Sequence, residues 1–554
     1  MRAQGRVFGL ASLMVLLLLV VGAPSGLAKK VKGIVDLGDP HFSPAERPLL
    51  EDIPEKGIGH HFQLVDHNPL INPGQTLPRG GNGNDIAIVR NCLYASSRSN
   101  NQGTLIVDVS NPHRTTVVGE IPPPGPPPSG RTLTTADLTS IESLNLLVRQ
   151  VWNTSAPFDG NKLDLFDTTN CFAPRLVSTI PLPDVPHEHF IWQGGTPNRV
   201  LLYLSFSSGS RALDPFPAPP RDIDMRVYDI TNKSSPRGLV AVWSLQRFGI
   251  PTFEEPDLLN NANQGQSNTL HSMAASVDGT RVYLVHYHAG FYILDSTPLA
   301  MGTPCDVEPD VPPGPGNPFG VNPSACLKKL HPDPRARFDY HPVFTHSHSH
   351  TAVKVPNRPY VLLNDEPSSN TCPWSWIRTV NVDDTFAFEA AQNLFNGRVA
   401  AGTKFRGDLF PQQEGAFKIP ENTVERCAET RGKFPRTRPG STAASFNAHK
   451  SLVFENLIFV SWLAGGVRAI DISNPGVPFE TGFFFNKPVA ATQSGLADPE
   501  LEIRNYPTLN DGLLYFLDGA SGLYILKYTG PRKEEIPQEG LFTQQVMQVP
   551  GRQP

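Results

Sequence analysis

The sequence predicts an all-β protein, a seven-bladed β-propeller, on the strength of two observations. A strand phrase of paired aliphatic residues followed by an acidic or polar turn recurs seven times along the 554 residues. Between these copies lie short apolar runs broken by glycine and proline, of which the chain has 46 and 56. Short strands with turn signals are typical of all-β folds. A small repeated sheet cannot bury both faces alone, so the copies must stack around an axis.

The clearest copy of the phrase is GGVRAIDISNPGVP at residues 465–478, where alternating apolar residues lead to Asn474 and Pro475. Proline lacks the N–H that a strand ladder needs, so the strand ends there. The other copies lie at residues 104–112, 163–170, 225–232, 291–298, 376–385 and 523–530. Their spacing exceeds the ~40–50 residues of a typical blade, so we expect insertions near 301–329 and 395–438. A solenoid is the structural alternative, but β-solenoid repeats are much shorter.

Residues 1–28 have the pattern of a secretory signal peptide. Arg2 and Arg6 precede an apolar run at residues 10–21, and Gly26 and Ala28 suit cleavage after residue 28. The apolar run is short for a membrane span, and an uncleaved anchor is the alternative. We therefore expect an exported protein, secreted or periplasmic, with no membrane span after cleavage.

The rest of the chain divides into three predicted parts. Residues 29–79 form an irregular, proline-rich lead-in, residues 80–530 the propeller, and residues 531–554 a polar C-terminal tail. The net charge is −5, and Lys and Arg are scattered rather than clustered. Because no basic stripe is available for phosphates, nucleic acid is not an expected partner.

Six cysteines in an exported chain predict disulfide bonds, because the compartment is oxidising. The spacing alone does not fix the pairing. Cys305 and Cys326 bracket a Pro/Gly-rich loop, and a bridge there would hold a segment that has no core of its own. We expect that pair first and Cys372–Cys427 second.

The repeated phrase, with its paired aliphatics, Asp-Val/Ile-Ser and Asn-Pro, resembles the LVIVD repeat of exported bacterial proteins that look like β-propellers. The resemblance covers residues 66–528. It implies a propeller built from LVIVD-type repeats. It leaves the activity open, because that family is largely uncharacterised and one fold hosts many functions.

Histidines recur at the start of the first strand in four consecutive units. They are His189, His271, His350 and His449. Asp85 and Asp137 stand at the corresponding place in the first two units. If this strand is the innermost of each blade, the four imidazoles converge on the channel, where they would suit Fe, Cu or Zn.

The ends of the next strands add further candidate ligands or proton carriers. They are Glu366, His288 and Asp518. A purely structural alternative explains the same pattern, since a polar residue at each inner strand satisfies backbone groups around a water-filled channel. The HSHSH tract at 346–350 is a third option, a metal-binding segment unrelated to the axis.

The sequence motifs leave two functions open. No P-loop, GxSxG elbow, HExxH or dinucleotide fingerprint is present in the sequence. The first function is a scaffold that binds a small ligand or a protein at the channel mouth. The alternative is a metal-dependent oxidoreductase or oxygenase that uses the four axial histidines. Carotenoid-cleaving oxygenases, which look like seven-bladed propellers with four histidines on iron, favour the alternative by analogy of fold only.

Overall fold

The computed structural model describes residues 57–548 apart from 207–223, 244–269, 287–289, 303–330, 339–348, 367–374, 383–411, 423–445, 488–501 and gaps of one to five residues elsewhere. The predicted signal peptide therefore lies outside the described residues. So do Cys305, Cys326, Cys372, Cys427 and His288, together with nearly all of the predicted 301–329 insertion.

Seven small antiparallel sheets form the described part of the chain, and they confirm the seven-bladed β-propeller. Two strands precede the first complete blade: β1 (Ile58–His60) and β2 (Phe62–Asn68). Blade one comprises β3 (Asn82–Val89), β4 (Cys92–Ser97), β5 (Thr104–Asp108) and β6 (Thr116–Ile121). Blade two comprises β7 (Thr134–Ile141), β8 (Leu146–Trp152), β9 (Lys162–Asp167) and β10 (Arg175–Pro181). Blade three comprises β11 (His189–Gly194), β12 (Arg199–Ser205), β13 (Met225–Asp229) and β14 (Gly238–Trp243).

The remaining four blades follow the same order from the channel outward. Blade four comprises β15 (Leu270–Ala275), β16 (Arg281–His286), β17 (Gly290–Asp295) and β18 (His331–Phe338). Blade five comprises β19 (Ser349–Lys354), β20 (Tyr360–Asp365), β21 (Ile377–Asn381) and β22 (Gln412–Phe417). Blade six comprises β23 (Lys450–Val453), β24 (Leu457–Ser461), β25 (Val467–Asp471) and β26 (Phe479–Phe485). Blade seven comprises β27 (Thr508–Asn510), β28 (Leu513–Asp518) and β29 (Gly522–Tyr528), and two short strands follow it, β30 (Leu541–Phe542) and β31 (Val546–Gln548).

Helices are short in the described residues. They are α1 (Thr297–Ala300) and three single 3-10 turns at Glu142–Leu144, Pro420–Asn422 and Lys533–Glu535. None of the helices in the described ranges is long and apolar enough to cross a membrane.

The repeated phrase forms the third strand of every blade, and its polar residues explain why the strand stops. In blade one, Asp108 Oδ1 accepts a hydrogen bond from Ser110 N at 2.9 Å, and Asn111 Oδ1 accepts one from His113 N at 3.1 Å. Blades two, three and six repeat both contacts. Such side-chain hydrogen bonds take the place of pairing with a neighbouring strand, so in these four blades the Asp and Asn of the phrase end the third strand.

The two ends of the chain close the ring. Strand β2 pairs with β29 and so becomes the fourth strand of blade seven, while β1 pairs with the outer edge of β26 in blade six. Side chains complete the closure, because Ile88 and Leu93 of blade one pack with Leu517 and Ile525 of blade seven in one buried cluster. Opening the ring would therefore separate β2 from β29 and also expose the apolar side chains that blades one and seven bury together.

Three of the predicted segments contain strands that the sequence pattern did not show. Residues 29–79, expected to be irregular, include β1 and β2. The expected insertion at 395–438 includes β22, the outer strand of blade five. The expected polar tail at 531–554 includes β30 and β31, which pair with the innermost strands of blades seven and three. These strands lie at the edges of their sheets, either on the outside of the ring or facing the axis. Each is stabilised by pairing with a strand far away in the sequence, so the local sequence pattern predicts it poorly.

Gly466 is required by the turn that leads into β25. It has a φ of +77°, and a Cβ atom there would lie 2.1 Å from the backbone oxygen of Phe484. We expect Gly466→Ala to lower the free energy of unfolding by about 1–3 kcal/mol, because both the backbone and the contact would be strained. Chemical denaturation would measure the loss.

Gly476→Ala is the matched control in the same blade. A Cβ atom at Gly476 would lie 3.5 Å from its nearest neighbours, which is an ordinary contact. An equal loss of stability in the two variants would contradict the assigned role of Gly466.

Candidate metal centre in the channel

Two histidines enter the channel because each is the extra residue of a β-bulge. In blade four, Leu270 pairs with His286 and Ser272 pairs with Val285, so His271 has no partner position in the ladder. In blade five, the pairs Ser349–Asp365 and Thr351–Asn364 leave out His350 in the same way. A bulge redirects the side chain of its extra residue, and bulges are common beside functional sites. The bulges therefore place both imidazoles at the entry end of the inner strands.

Blade three has the same bulge, but its extra residue is Glu188 rather than His189. His189 pairs with Leu204 in the ladder, while His187 N and Glu188 O both bond to Ser205. A shift of one residue turns a strand side chain to the opposite face. The structure thus places Glu188 at the channel position that the sequence analysis gave to His189.

The ring of His189 is held between blades two and three. Its Nδ1 lies 3.1 Å from Gln150 Oε1, and its Nε2 lies 2.7 Å from Thr139 Oγ1. Both ring nitrogens are therefore engaged with neighbouring side chains. His189 is not a member of the groups of His, Asp and Glu residues that could hold a metal ion among the described residues.

The three remaining predicted histidines, His271, His350 and His449, are here called the channel histidines. Their rings follow one another around the axis, with centroids 3.7 Å apart for His271 and His350 and 4.1 Å apart for His350 and His449. All three are almost fully buried. The structure therefore brings together three of the four histidines that the sequence singled out.

Each channel histidine is oriented by a backbone carbonyl of the next blade. The Nδ1 atom of His271 lies 2.9 Å from His350 O, that of His350 lies 3.1 Å from His449 O, and that of His449 lies 2.6 Å from Arg504 O. A carbonyl oxygen only accepts hydrogen bonds, so the Nδ1 atoms of His271 and His449 carry the proton. The Nδ1 of His350 also lies 2.6 Å from Thr351 Oγ1, whose hydroxyl donates to His449 O at 2.9 Å and therefore accepts from this Nδ1. Each Nε2 is then the nitrogen with a lone pair, which is the state a metal ligand requires.

Glu366, at the end of β20, faces two of these Nε2 atoms. Its Oε2 lies 3.4 Å from His350 Nε2, and its Oε1 lies 3.9 Å from His449 Nε2. The three ligand atoms lie within 4.8 Å of one another. Two ligands on one ion can be no further apart than twice the bond length, which is about 4.2 Å for Zn–N. The two oxygen–nitrogen distances satisfy this limit.

A second group consists of Glu188, His271 and His350. Glu188 Oε1 lies 3.9 Å from His271 Nδ1 and 4.0 Å from His350 Nε2. His187, which the sequence analysis did not select, adds its Nε2 at 2.5 Å from His271 Nε2. Since Nδ1 of His271 donates to a carbonyl, its Nε2 accepts from His187 in this arrangement.

Beside the histidines lies a buried cluster centred on Lys450. Its Nζ lies 3.1 Å from Asp85, 3.3 Å from Glu188 and 4.0 Å from Asp137. The ammonium group also lies 4.7 Å from the centre of the Tyr506 ring. Both predicted aspartates of blades one and two therefore reach the channel, and Lys450 is the residue that joins them to Glu188.

Burial determines the protonation of these groups. It lowers the pKa of each channel histidine well below the usual value and so keeps the imidazoles neutral. It raises the pKa of Glu188 to about 8 and that of Asp85 well above its usual value. For Lys450, burial opposes the charge, but the three surrounding carboxylates outweigh it and raise the pKa. Neutral imidazoles are the form that binds metal ions.

Asp518, the remaining predicted channel residue in the described chain, has a structural role. Its Oδ1 accepts hydrogen bonds from Ala520 N and Ser521 N, and its Oδ2 accepts one from Glu502 N. These contacts close the turn between β28 and β29. Asp518 is therefore not among the groups that could hold a metal ion in the described ranges.

Comparisons with known proteins agree with the repeat and add no activity. Residues 80–121, which span blade one, match the LVIVD repeat. Among curated proteins, none is significantly similar in sequence.

Solved structures similar to this chain include the β-propeller domain of Myceliophteria thermophila Cps50 (Swd1), at 10% identity, 82% of this chain, 98% of that one and a TM-score of 0.40. Saccharomyces cerevisiae Sqt1 is 8% identical over 82% of this chain and 97% of its own, with a TM-score of 0.41. Chaetomium thermophilum Sqt1 is 10% identical over 80% and 84%, with a TM-score of 0.39. From its own seven sheets and its matched repeat, this chain is a seven-bladed β-propeller that carries the LVIVD repeat.

Proposed function

We propose that this protein binds one divalent transition-metal ion in the propeller channel, through His350 Nε2, His449 Nε2 and the Glu366 carboxylate. The observation that carries the proposal is the orientation of the two imidazoles. His449 donates its Nδ1 proton to the carbonyl of Arg504, and His350 donates its own to Thr351 Oγ1 and the carbonyl of His449. Both contacts direct the unprotonated Nε2 toward Glu366. Metal-binding histidines in proteins are oriented by this kind of second hydrogen bond.

Two histidines and one carboxylate favour zinc or ferrous iron among the metals that imidazole binds. Catalytic zinc sites use such a His₂Glu set, and non-haem Fe(II) oxygenases use two histidines and a carboxylate. In both kinds of site the metal ion keeps coordination positions free for water or a substrate. The site uses two of the four histidines that the sequence suggested, together with Glu366.

The two groups at the channel share His350, and this limits the number of ions. An imidazole whose Nδ1 carries a proton offers one lone pair, so His350 binds one ion at a time. In the second group the nitrogen nearest Glu188 is Nδ1 of His271, which carries a proton. The group with Glu366 is therefore the ligand set, and one ion per chain is the expected stoichiometry.

The charges around the site also favour a cation. Four buried carboxyl groups, those of Asp85, Asp137, Glu188 and Glu366, line the channel, and Lys450 contacts the first three. Burial raises the pKa of Asp85 and Glu188. A nearby cation favours the ionised form of such groups, so the channel favours a cation over an anion.

We place this site in an exported protein. The signal-peptide pattern of residues 1–28 supports export. So does the disulfide between Cys92 and Cys171, because such bonds persist in oxidising compartments. In the simplest form of the proposal the propeller is a binding scaffold whose channel takes up a small ligand at the metal.

The test is elemental analysis of the untagged protein after export and purification. We expect one zinc or iron per chain, and we expect chelation to lower the melting temperature because the ion binds only the folded state. His350→Ala, His449→Ala and Glu366→Gln should each lower metal affinity by about tenfold or more.

His189→Ala is the matched control, since His189 is a buried histidine held between blades two and three, and its nitrogens contact Thr139 and Gln150. It should keep its metal. An untagged wild-type protein without stoichiometric metal, or an equal loss of metal in His189→Ala, would overturn the proposal.

A metal-dependent oxidoreductase is the second candidate, and the open coordination of a three-ligand site favours it. Adding azide to the cobalt-substituted protein would test this candidate. A change in the visible spectrum would show an exchangeable position, which both catalysis and ligand uptake at the metal require. An unchanged spectrum would exclude catalysis at the metal and restrict the scaffold to ligands held by the surrounding protein.

A further inference from the structure

The last described segment of the chain, residues 541–548, crosses the channel and is here called the C-terminal strap. Its first strand, β30, pairs with β27 on the side that faces the axis, and its second, β31, pairs in parallel with β11 of blade three. Both partners are innermost strands. The strap therefore runs through the channel itself, from blade seven to blade three.

Two buried glutamines fix the strap to other blades on the way. Gln544 Oε1 accepts a hydrogen bond from Val453 N in blade six at 3.1 Å. Gln545 Nε2 donates to Asp85 Oδ2 in blade one at 2.8 Å, and its carbonyl accepts from Ile191 N at 2.8 Å. Gln544 is 8% exposed and Gln545 is 2% exposed. The strap thus bonds to the inner strands of four blades.

The strap and the proposed metal ligands lie at different levels along the axis. In every blade the chain passes through the innermost strand first and then through the outer strands. The seven innermost strands therefore have the same direction along the propeller axis. The ligands His350 and His449 stand at the starts of β19 and β23. The strap contacts Val453 at the end of β23 and Ile191–Gln193 in the middle of β11. It therefore lies on the exit side of the site.

We propose that the C-terminal strap seals the exit end of the channel, so that the metal ion and any small ligand reach the site only through the entry mouth. The inference rests on the proposed function for its metal readout. Through Gln545 the strap also holds Asp85, which in turn contacts Lys450. Gln545 is a positioning residue in this arrangement and does not touch the ion.

The first measurement needs no variant and no metal. Hydrogen exchange of the wild-type full-length protein should show the backbone amides of residues 541–548 as protected as those of the inner strands. Rapid exchange throughout the strap would mean that the exit end is open, which would overturn the inference whether or not the protein binds metal.

The second measurement is the rate at which a small chelator removes the ion from the loaded protein. The double variant Gln544→Ala/Gln545→Ala should release the ion about tenfold faster than wild type, because each substitution removes a buried hydrogen bond of the strap. Gln538→Ala is the control, because Gln538 is an exposed glutamine just before the strap. It should leave the rate unchanged.

The outcomes separate the two proposals. A wild-type protein that holds metal and a double variant that releases it at the same rate would overturn the strap inference and leave the metal site standing. A wild-type protein that holds no metal would overturn the proposed function, and the exchange of the strap amides would still decide whether the exit end is sealed.

Discussion

Removing the disulfide between Cys92 and Cys171 is expected to lower the free energy of unfolding by about 4 kcal/mol. The bond joins β4 of blade one to the turn after β9 of blade two and closes a loop of 79 residues. A cross-link of this span restricts the unfolded chain, and the expected stabilisation grows slowly with loop length. Both sulfur atoms belong to buried residues, and Tyr94 Oη donates to Cys171 O at 2.7 Å.

Chemical denaturation of Cys92→Ala/Cys171→Ala against wild type would measure this effect. The double variant with and without reductant is the internal control, because any further change must come from the other four cysteines. If the double variant unfolds at the wild-type denaturant concentration, the bond contributes nothing and the link between blades one and two is not covalent in the purified protein.

Lys450→Met should lower the free energy of unfolding by about 3–5 kcal/mol, because it leaves the buried carboxylate of Asp137 without its cation. Against the effect of burial, the ammonium group helps to hold the pKa of Asp137 below its usual value. Lys450 is fully buried, and its Nζ lies 3.1 Å from Asp85 and 3.3 Å from Glu188. Methionine preserves the volume of the side chain and removes only its charge. Denaturation of the chelator-treated protein would isolate this effect from metal binding.

Two further variants make this measurement specific. Lys527→Met changes an exposed lysine of β29 and should alter stability by no more than about 0.5 kcal/mol. Asp137→Asn in the Lys450→Met background should recover part of the loss, since it removes the uncompensated charge. A Lys450→Met protein as stable as wild type would show that the carboxyl group of Asp137 is already neutral in the folded protein.

The repeated phrase was predictable because its information is local. Paired aliphatics build the third strand of each blade, and the Asp and Asn that follow bond to the backbone two residues later. In blades one, two, three and six the copy carries its own stop signal within a few residues. The number of blades could therefore be counted on the sequence, even where the copies at 376–385 and 523–530 are loose.

The candidate site was predictable only in part, because a β-bulge decides which residue faces the channel. His271, His350 and His449 were identified from their positions before an apolar strand. In the segment HEHFIW the sequence pattern allows either Glu188 or His189 to face the channel. The hydrogen bonds of Ser205 to His187 and Glu188 show that Glu188 is the residue that does so. His187 and Lys450 gave no signal, since one precedes the strand and the other resembles an ordinary strand lysine.

By itself the sequence determined the all-β class, the seven repeats and the placement of histidines near the starts of inner strands. Tertiary structure alone decided the partner of Cys92, the fourth strand of blade seven and the path of the strap. These features join residues far apart in the chain, and such pairings depend on the ring that brings the blades together. Local propensity and periodicity act over a few residues, so they cannot specify which distant edge a strand or a cysteine will meet.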